Sequence, residues 1–375
     1  MDNFKTMDEL VAMAEAWQSS LHDTRGVSIR TMNYEGDTNM LNFKNGSSQE
    51  GDLFGKVDGI GESGVLLDQA LYQLGQTVGA PSIKWLRDDV KCPNELKELL
   101  LNWKFANWEE SEHLLRQRII GDSNAIRAVL SSQYSVYDNF EFVKAIEDAV
   151  NENELPVHVW RPEVGDAMRA YIIVKRIDFD VHSGHGRTGE NPDATPPMGD
   201  GGGNGGLKAA IYIKNSEVGG GKVRITGGLY RSWCSNGMIV GWNTKEEVAV
   251  QHRFKSKDHM HVLVNEGIAM AMLMSQNAAV RFLNKRAILL KKTNLSSIVD
   301  RWADKYGFMI ETRETWNHAV QMQSNISEAV SASEVINQLT AQRSDNADEQ
   351  ELIERCAGDM VMAEVRQEDR VTEIA

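Results

Sequence analysis

Apolar residues recur at every second position in two segments past the middle of the chain. Ile211 and Ile213 alternate with Tyr212 and Lys214, and Val223 and Ile225 alternate with Lys222 and Arg224. This period predicts two half-buried strands, and Gly219-Gly220-Gly221 between them predicts a hairpin turn. Residues 126–130, 157–160, 170–181 and 248–254 read as further strands, and 134–137 as a partner for the first of them. Helical spacing governs most of the rest. Phe4, Met7, Leu10, Val11 and Met13 share one face over 4–20. Helices are predicted over 65–75, over 93–104 with Asn94 as N-cap, over 108–120, and over 141–150 behind the caps Asp138 and Asn139. A long helix is predicted over 264–290 and another over 295–306. Residues 314–342 are helical in pattern but sparsely apolar, and 345–375 form an acidic tail of modest helical character.

Two stretches break these patterns. Residues 22–63, rich in Asn, Gly, Asp and Ser, hold at most short strands such as 28–32. Residues 182–206, crowded with Gly and Pro, read as a long loop. The expected class is α+β: a central, mainly antiparallel sheet with helices packed on it, a helical N-terminal region and an acidic helical C-terminal tail. The expected divisions are an acidic region 1–64, a core 65–300 and the tail 301–375. Within the core, helices fill 65–120, strands 125–260 and the long helix 264–290.

Charge changes the picture because it is segregated. The net charge of −14 divides into −12 over residues 1–159, +7 over 160–301 and −9 over 302–375. A basic middle between acidic ends suits a polyanion-binding core, the ends limiting non-specific binding or meeting other proteins. The plain alternative is that the acidic flanks keep the protein in solution. Cys92, Cys234 and Cys356 are too few and too dispersed for a disulfide framework or a zinc ribbon. The N-terminus lacks a basic stretch followed by an apolar run, and the apolar run 268–274 is too short to span a bilayer. These features imply a cytoplasmic location without membrane partners.

Three blocks carry a resemblance to a family. The first is Ala70-Leu71-Tyr72-Gln73-Leu74-Gly75 through Gly79-Ala80-Pro81. The second is Arg127-Ala128-Val129-Leu130-Ser131-Ser132-Gln133-Tyr134 followed by Asp138-Asn139. The third is Asn215-Ser216-Glu217-Val218-Gly219 with Arg231, Cys234, Asn236 and Gly237. In this order, across about residues 65 to 295, they resemble the phage- and plasmid-encoded family of "phage/plasmid-like proteins", a domain of unknown function. The loop 184–206 looks like an insertion relative to that pattern, and the first 60 residues and the tail lie outside it. The resemblance implies a mobile-element origin in a bacterial host and a role in DNA metabolism. It supplies no catalytic residue.

Several motifs could carry chemistry. Gly59-Ile60-Gly61-Glu62-Ser63-Gly64 matches a dinucleotide fingerprint but lacks the preceding buried strand and the βα series that a cofactor site requires. Gly219-Gly220-Gly221-Lys222 fails as a phosphate loop, since Ser216 stands at the first glycine and Val223 replaces the hydroxyl. Asp178, Asp180 and His182 share one face of a strand and could ligate a divalent metal, with His185 or the His259/His261 pair adding ligands. A solvated strand face explains the same pattern. Cys234 has no assignable histidine partner, so an inert buried thiol is its plainer reading. Met270, Met272 and Met274 suggest core packing or oligomer contact.

The remaining candidates are cations. Lys175, Arg176, Lys208, Lys214, Lys222, Arg224 and Arg231, then Arg253, Lys255 and Lys257, could line up along phosphates, while Tyr212, Tyr230 and Trp233 offer rings for bases. Any half-exposed sheet shows a charged outer face, which is the competing explanation. The sequence is therefore read as a non-enzymatic protein that binds single-stranded nucleic acid, in recombination or annealing, without a cofactor. The alternatives are a metal-dependent enzyme acting on nucleic acid and a regulatory or host-interaction protein. A homo-oligomer and a protein partner at the acidic tail are further expectations.

Overall fold

The computed structural model describes residues 4–43, 63–109, 111–179, 207–231, 238–240, 248–250, 257–324, 329–341 and 347–371. A short strand β1 (Phe4–Lys5) leads into α1 (Met7–Gln18), which starts at a capping box between Thr6 and Glu9. Four strands follow: β2 (Leu21–Ser28), β3 (Asn33–Glu35), β4 (Met40–Asn42) and β5 (Ser63–Leu66). Helices α2 (Asp68–Thr77), α3 (Ile83–Leu86) and α4 (Asn94–Ala106) come next, then β6 (Glu112–Ile120) and β7 (Ser123–Ser131). Helix α5 (Asn139–Glu152) begins at a capping box between Asp138 and Glu141, as the Asp138-Asn139 pair predicts.

The second half opens with β8 (Val157–Glu163), β9 (Ala167–Phe179), β10 (Leu207–Ser216), β11 (Val223–Arg231), β12 (Met238–Val240) and β13 (Val248–Val250). The long α6 (Lys257–Arg286) follows, and then β14 (Leu289–Lys291), α7 (Leu295–Tyr306), α8 (Ile310–Ser324), β15 (Ala329–Ser331), α9 (Ala332–Ala341) and α10 (Ala347–Met362).

The strands form two large sheets in a mixed α+β architecture. One is seven-stranded and antiparallel, in the order β1-β8-β9-β10-β11-β12, with β13 also on β11. Its inner face, from Ile172 and Val174 through Ile211 and Ile213 to Val223 and Ile225, packs on α1, α5 and α6. Helix α6 crosses β11 so closely at Gly227 that a Cβ there would lie 1.9 Å from the Ala271 carbonyl oxygen. The other sheet is six-stranded, in the order β2-β6-β7-β5-β4-β3, with β5 and β7 parallel. It packs Ile29, Leu41, Leu66, Leu115 and Ile126 against α2 and α4. A third core joins the end of α6 to α7, α8, α9 and α10 through Phe282, Ile298, Trp316, Val335 and Ile353.

Three expectations are corrected. Residues 108–120 are not helical. Glu112–Ile120 is a strand between β2 and β7, and Leu114, Leu115, Arg116 and Gln117 are buried in succession because both faces are covered. The N-terminal region is not simply helical, since β2 to β5 belong to the second sheet and the division expected at residue 64 falls inside β5. The acidic tail is not a solvated flank. Helix α10 buries Ile353, Cys356, Ala357 and Val361 in the third core.

Candidate nucleic-acid interface

The outer face of the seven-stranded sheet is built of cross-strand rows. Register places Lys214 opposite Arg169 on one side and Arg224 on the other, so three cations span three adjacent strands. One step along, Trp160 lies opposite Tyr171, Tyr171 opposite Tyr212, and Tyr212 opposite Thr226. The rings touch in series, with centroids 5.3 Å apart for Trp160 and Tyr171 and 5.2 Å for Tyr171 and Tyr212. Beyond the small Ala210 and Gly228, which lie opposite each other, Tyr230 packs edge-on to Trp160 at 5.5 Å. A cation row beside a ring row is the arrangement that tracks phosphates and accepts bases. Like charges placed directly opposite repel, so the row is costly unless an anion lies on it.

In this structure Glu163 pairs with Arg169, and α10 supplies the anion for the other two. Glu351 lies 2.6 Å from Lys214 and 3.5 Å from Arg224, and accepts the Tyr212 hydroxyl at 3.0 Å. One turn on, Glu354 accepts the Tyr171 hydroxyl and the Gln350 side-chain amide. Tyr171 and Tyr212 are only 5% and 4% exposed beneath the helix. Burial drives Glu351 upward, but Lys214, Tyr212 and Arg224 outweigh it and hold the carboxyl below its ordinary value. Glu354 has hydrogen bonds and, among the described residues, no such cation pair. Burial dominates there and its pKa is pushed up to about 7. The expectation of an open basic face is thus corrected. The face exists, and a carboxylate-bearing helix covers it.

The other sequence candidates are only partly gathered here. Lys175 stands on β9 at the same parity as Tyr171 and is half-buried, Lys208 is half-buried opposite Asp178 in the register, and Lys222 is exposed at the hairpin turn. Arg176 and Asp178 lie in β9, Arg231 ends β11 and Lys257 begins α6. Arg253, Lys255, Asp180, His182, His185 and Trp233 lie outside the described residues. His261 faces Asp148 at 3.2 Å on the α5 side of α6. Among the described residues no group of His, Cys, Asp or Glu is placed to hold a metal.

The resemblance blocks meet elsewhere, at the junction of the two sheets. Glu217 follows β10 and is fully buried, accepting Arg127 Nη1 at 2.9 Å, Trp17 Nε1 at 3.1 Å and the Asn139 amide at 2.8 Å. Arg127 is the extra residue at a register shift between β6 and β7, which aims it across to Glu217 and to Asp166 at 2.8 Å. Arg116 donates to the Glu217 carbonyl and pairs with Asp23 and Asp138. Asn215 donates to Tyr137 O and Asn139 Oδ1, and the Ser216 hydroxyl accepts the Gly220 amide. Gln73 of the first block bonds both Val218 O and the Val129 amide. Gly219 has φ +70°, and a Cβ there would lie 2.7 Å from Leu130 Cδ2. These residues join two sheets, and Arg116, Arg127, Asn215 and Glu217 at their centre are buried. Cys234, Asn236 and Gly237 lie outside the described residues.

Sequence reasoning missed Trp160, Arg169 and Tyr171 on the outer face, although each alternates with a core residue of its strand. It also missed Arg116 at the junction and Glu351 and Glu354 on α10. Nothing local marks a carboxylate that lies 137 residues from its lysine. Comparison of the chain with protein-family models, curated proteins and solved structures finds no match.

Proposed function

We propose that the outer face of the seven-stranded sheet binds single-stranded nucleic acid, and that α10 occupies this face in the free protein. The observation that supports this reading most is what covers the face: a helix that lays one carboxylate on the cation row and a second on the ring row. An anion is already the complement of this surface, and a phosphate chain would replace it with the same charge and a longer track. The rings Trp160, Tyr171, Tyr212 and Tyr230 favour unpaired bases over duplex. The resemblance of the three blocks to phage- and plasmid-encoded proteins favours DNA, in strand annealing or recombination. The metal-dependent alternative gains no observation of its own.

Binding must then compete with α10, so apparent affinity falls with the fraction of molecules in which the face is open. Fluorescence anisotropy of a labelled oligothymidylate at about 50 and about 200 mM salt tests this. The full-length E351Q variant should bind about tenfold tighter than the natural chain, with affinity dropping steeply as salt rises. Adding K214E and R224E in that background should remove the gain. No binding by the E351Q variant at the lower salt overturns the proposal, as does binding that the two charge reversals leave unchanged.

A further inference from the structure

The third core contains a groove of about 320 Å3 between the end of α6, α7, α9 and the segment that follows α10. Its walls are apolar, formed by Ile298, Val335, Ile336 and Met360. Four cations line it, and three already have carboxylate partners. Arg301 pairs with Asp369 at 2.7 Å, Lys305 with Asp359 at 2.8 Å and Arg366 with Glu368 at 3.3 Å. Lys285 differs. It is only 6% exposed, and its ammonium donates to the Ala363 carbonyl. Among the described residues no carboxylate lies within ion-pair distance of it. Burial, together with Arg370 and Arg281, pulls its pKa down, and Glu364 offsets this only in part. A buried ammonium with a single carbonyl partner is an unmet demand for one negative charge.

We propose that this groove binds a small amphiphilic carboxylate, with the carboxylate on Lys285 and the hydrocarbon along Ile298, Val335, Ile336 and Met360. One unpaired cation calls for a monoanion, since a phosphate ester would bring a second charge that the already paired Arg301, Lys305 and Arg366 are not free to meet. The volume lies at the lower end of the range of small-molecule sites, about 300 to 1,000 Å3, so a short chain fits and a long-chain lipid does not. The walls supply area for binding and the ammonium supplies orientation. The groove is a different surface from the sheet face, but it shares α10 with it, since Met360 lies on that helix and Ala363 directly follows it.

Isothermal titration of the full-length protein with octanoate tests the assignment, with octanol as the uncharged control. Octanoate should bind saturably and about tenfold or more tighter than octanol, the difference a charge-assisted hydrogen bond confers. K285M, which keeps the length and apolar stem of the side chain, should reduce octanoate affinity toward that of octanol and leave octanol binding unchanged. The octanoate-to-octanol ratio in the natural protein needs no variant, so it decides the matter even where K285M fails to fold. Equal affinities for the two ligands, or no saturable octanoate binding, overturn the proposal.

Discussion

Two places in this protein bury charge, and they are held in different ways. At the junction of the sheets, Glu217 and Arg127 are both fully buried, and their partners come from α1, β7, the start of α5 and the β8–β9 turn. On the outer face of the seven-stranded sheet, Lys214 and Arg224 meet Glu351 on a helix from the far end of the chain. Four segments lock the first site, and removing either Arg127 or Glu217 leaves the other's charge under-compensated in the interior. The second site is covered by α10, and its cations keep about a quarter of their side-chain surface exposed. The first arrangement suits a permanent joint between sheets. The second suits a cover whose release would also draw Ile353, Cys356, Ala357 and Val361 out of the third core.

The largest test of this contrast is Glu217→Ala, which leaves the buried Arg127 with the partly exposed Asp166 as its remaining carboxylate partner. It should cost about 3 to 5 kcal/mol in urea unfolding. Glu351→Ala should cost only about 1 kcal/mol, because water reaches Lys214 and Arg224 once the helix is released. A comparable loss in the two variants would break the comparison.

The cover should also respond to pH. Glu354 docks with its pKa raised to about 7 from an ordinary value near 4.5, so the covered state holds a proton that the released helix has already lost. Glu351, held below its ordinary value, loses its contribution as pH falls through the carboxylate range, so it is the Glu354 contribution to docking that is largest at low pH. That contribution weakens as pH rises through about 7 and is level above that, with a total change of at most about 3 kcal/mol. Hydrogen exchange at α10 should quicken across this window relative to the sheet, after correction for intrinsic rates, and Glu354→Gln should flatten the response. A flat profile in the natural chain would mean that Glu354 does not limit docking.

Two smaller effects sharpen the contrast. Gly219→Ala combines a left-handed backbone with the approach to Leu130, and should lower stability by about 2 kcal/mol in thermal unfolding. Tyr171→Phe removes one hydrogen bond from Glu354 and should cost about 1 kcal/mol, read as faster exchange confined to α10.

What was readable in advance follows the reach of each signal. Alternation along β10 and β11 marked their inner and outer faces, and with them Tyr212, Lys214 and Arg224, because side-chain direction in a strand depends on the strand alone. The helix start at Asp138 was legible for the same reason, since its capping box closes within four residues. Residues 112–120 were misread because a strand buried on both faces loses its alternation. Their Leu, Arg and Ile pattern then fits a helix equally well until β2 and β7 are known to flank it.

The sequence by itself determined the α+β character, the hairpin with its basic and aromatic outer positions, and the acidity of the last segment. Only the tertiary structure decided that this acidity is spent on the basic face, through Glu351 and Glu354 against Lys214, Arg224, Tyr171 and Tyr212. The physical reason is that periodicity and capping are set by neighbours along the chain. Pairing between charges 137 residues apart is set by how three hydrophobic cores stack, and no local pattern records that.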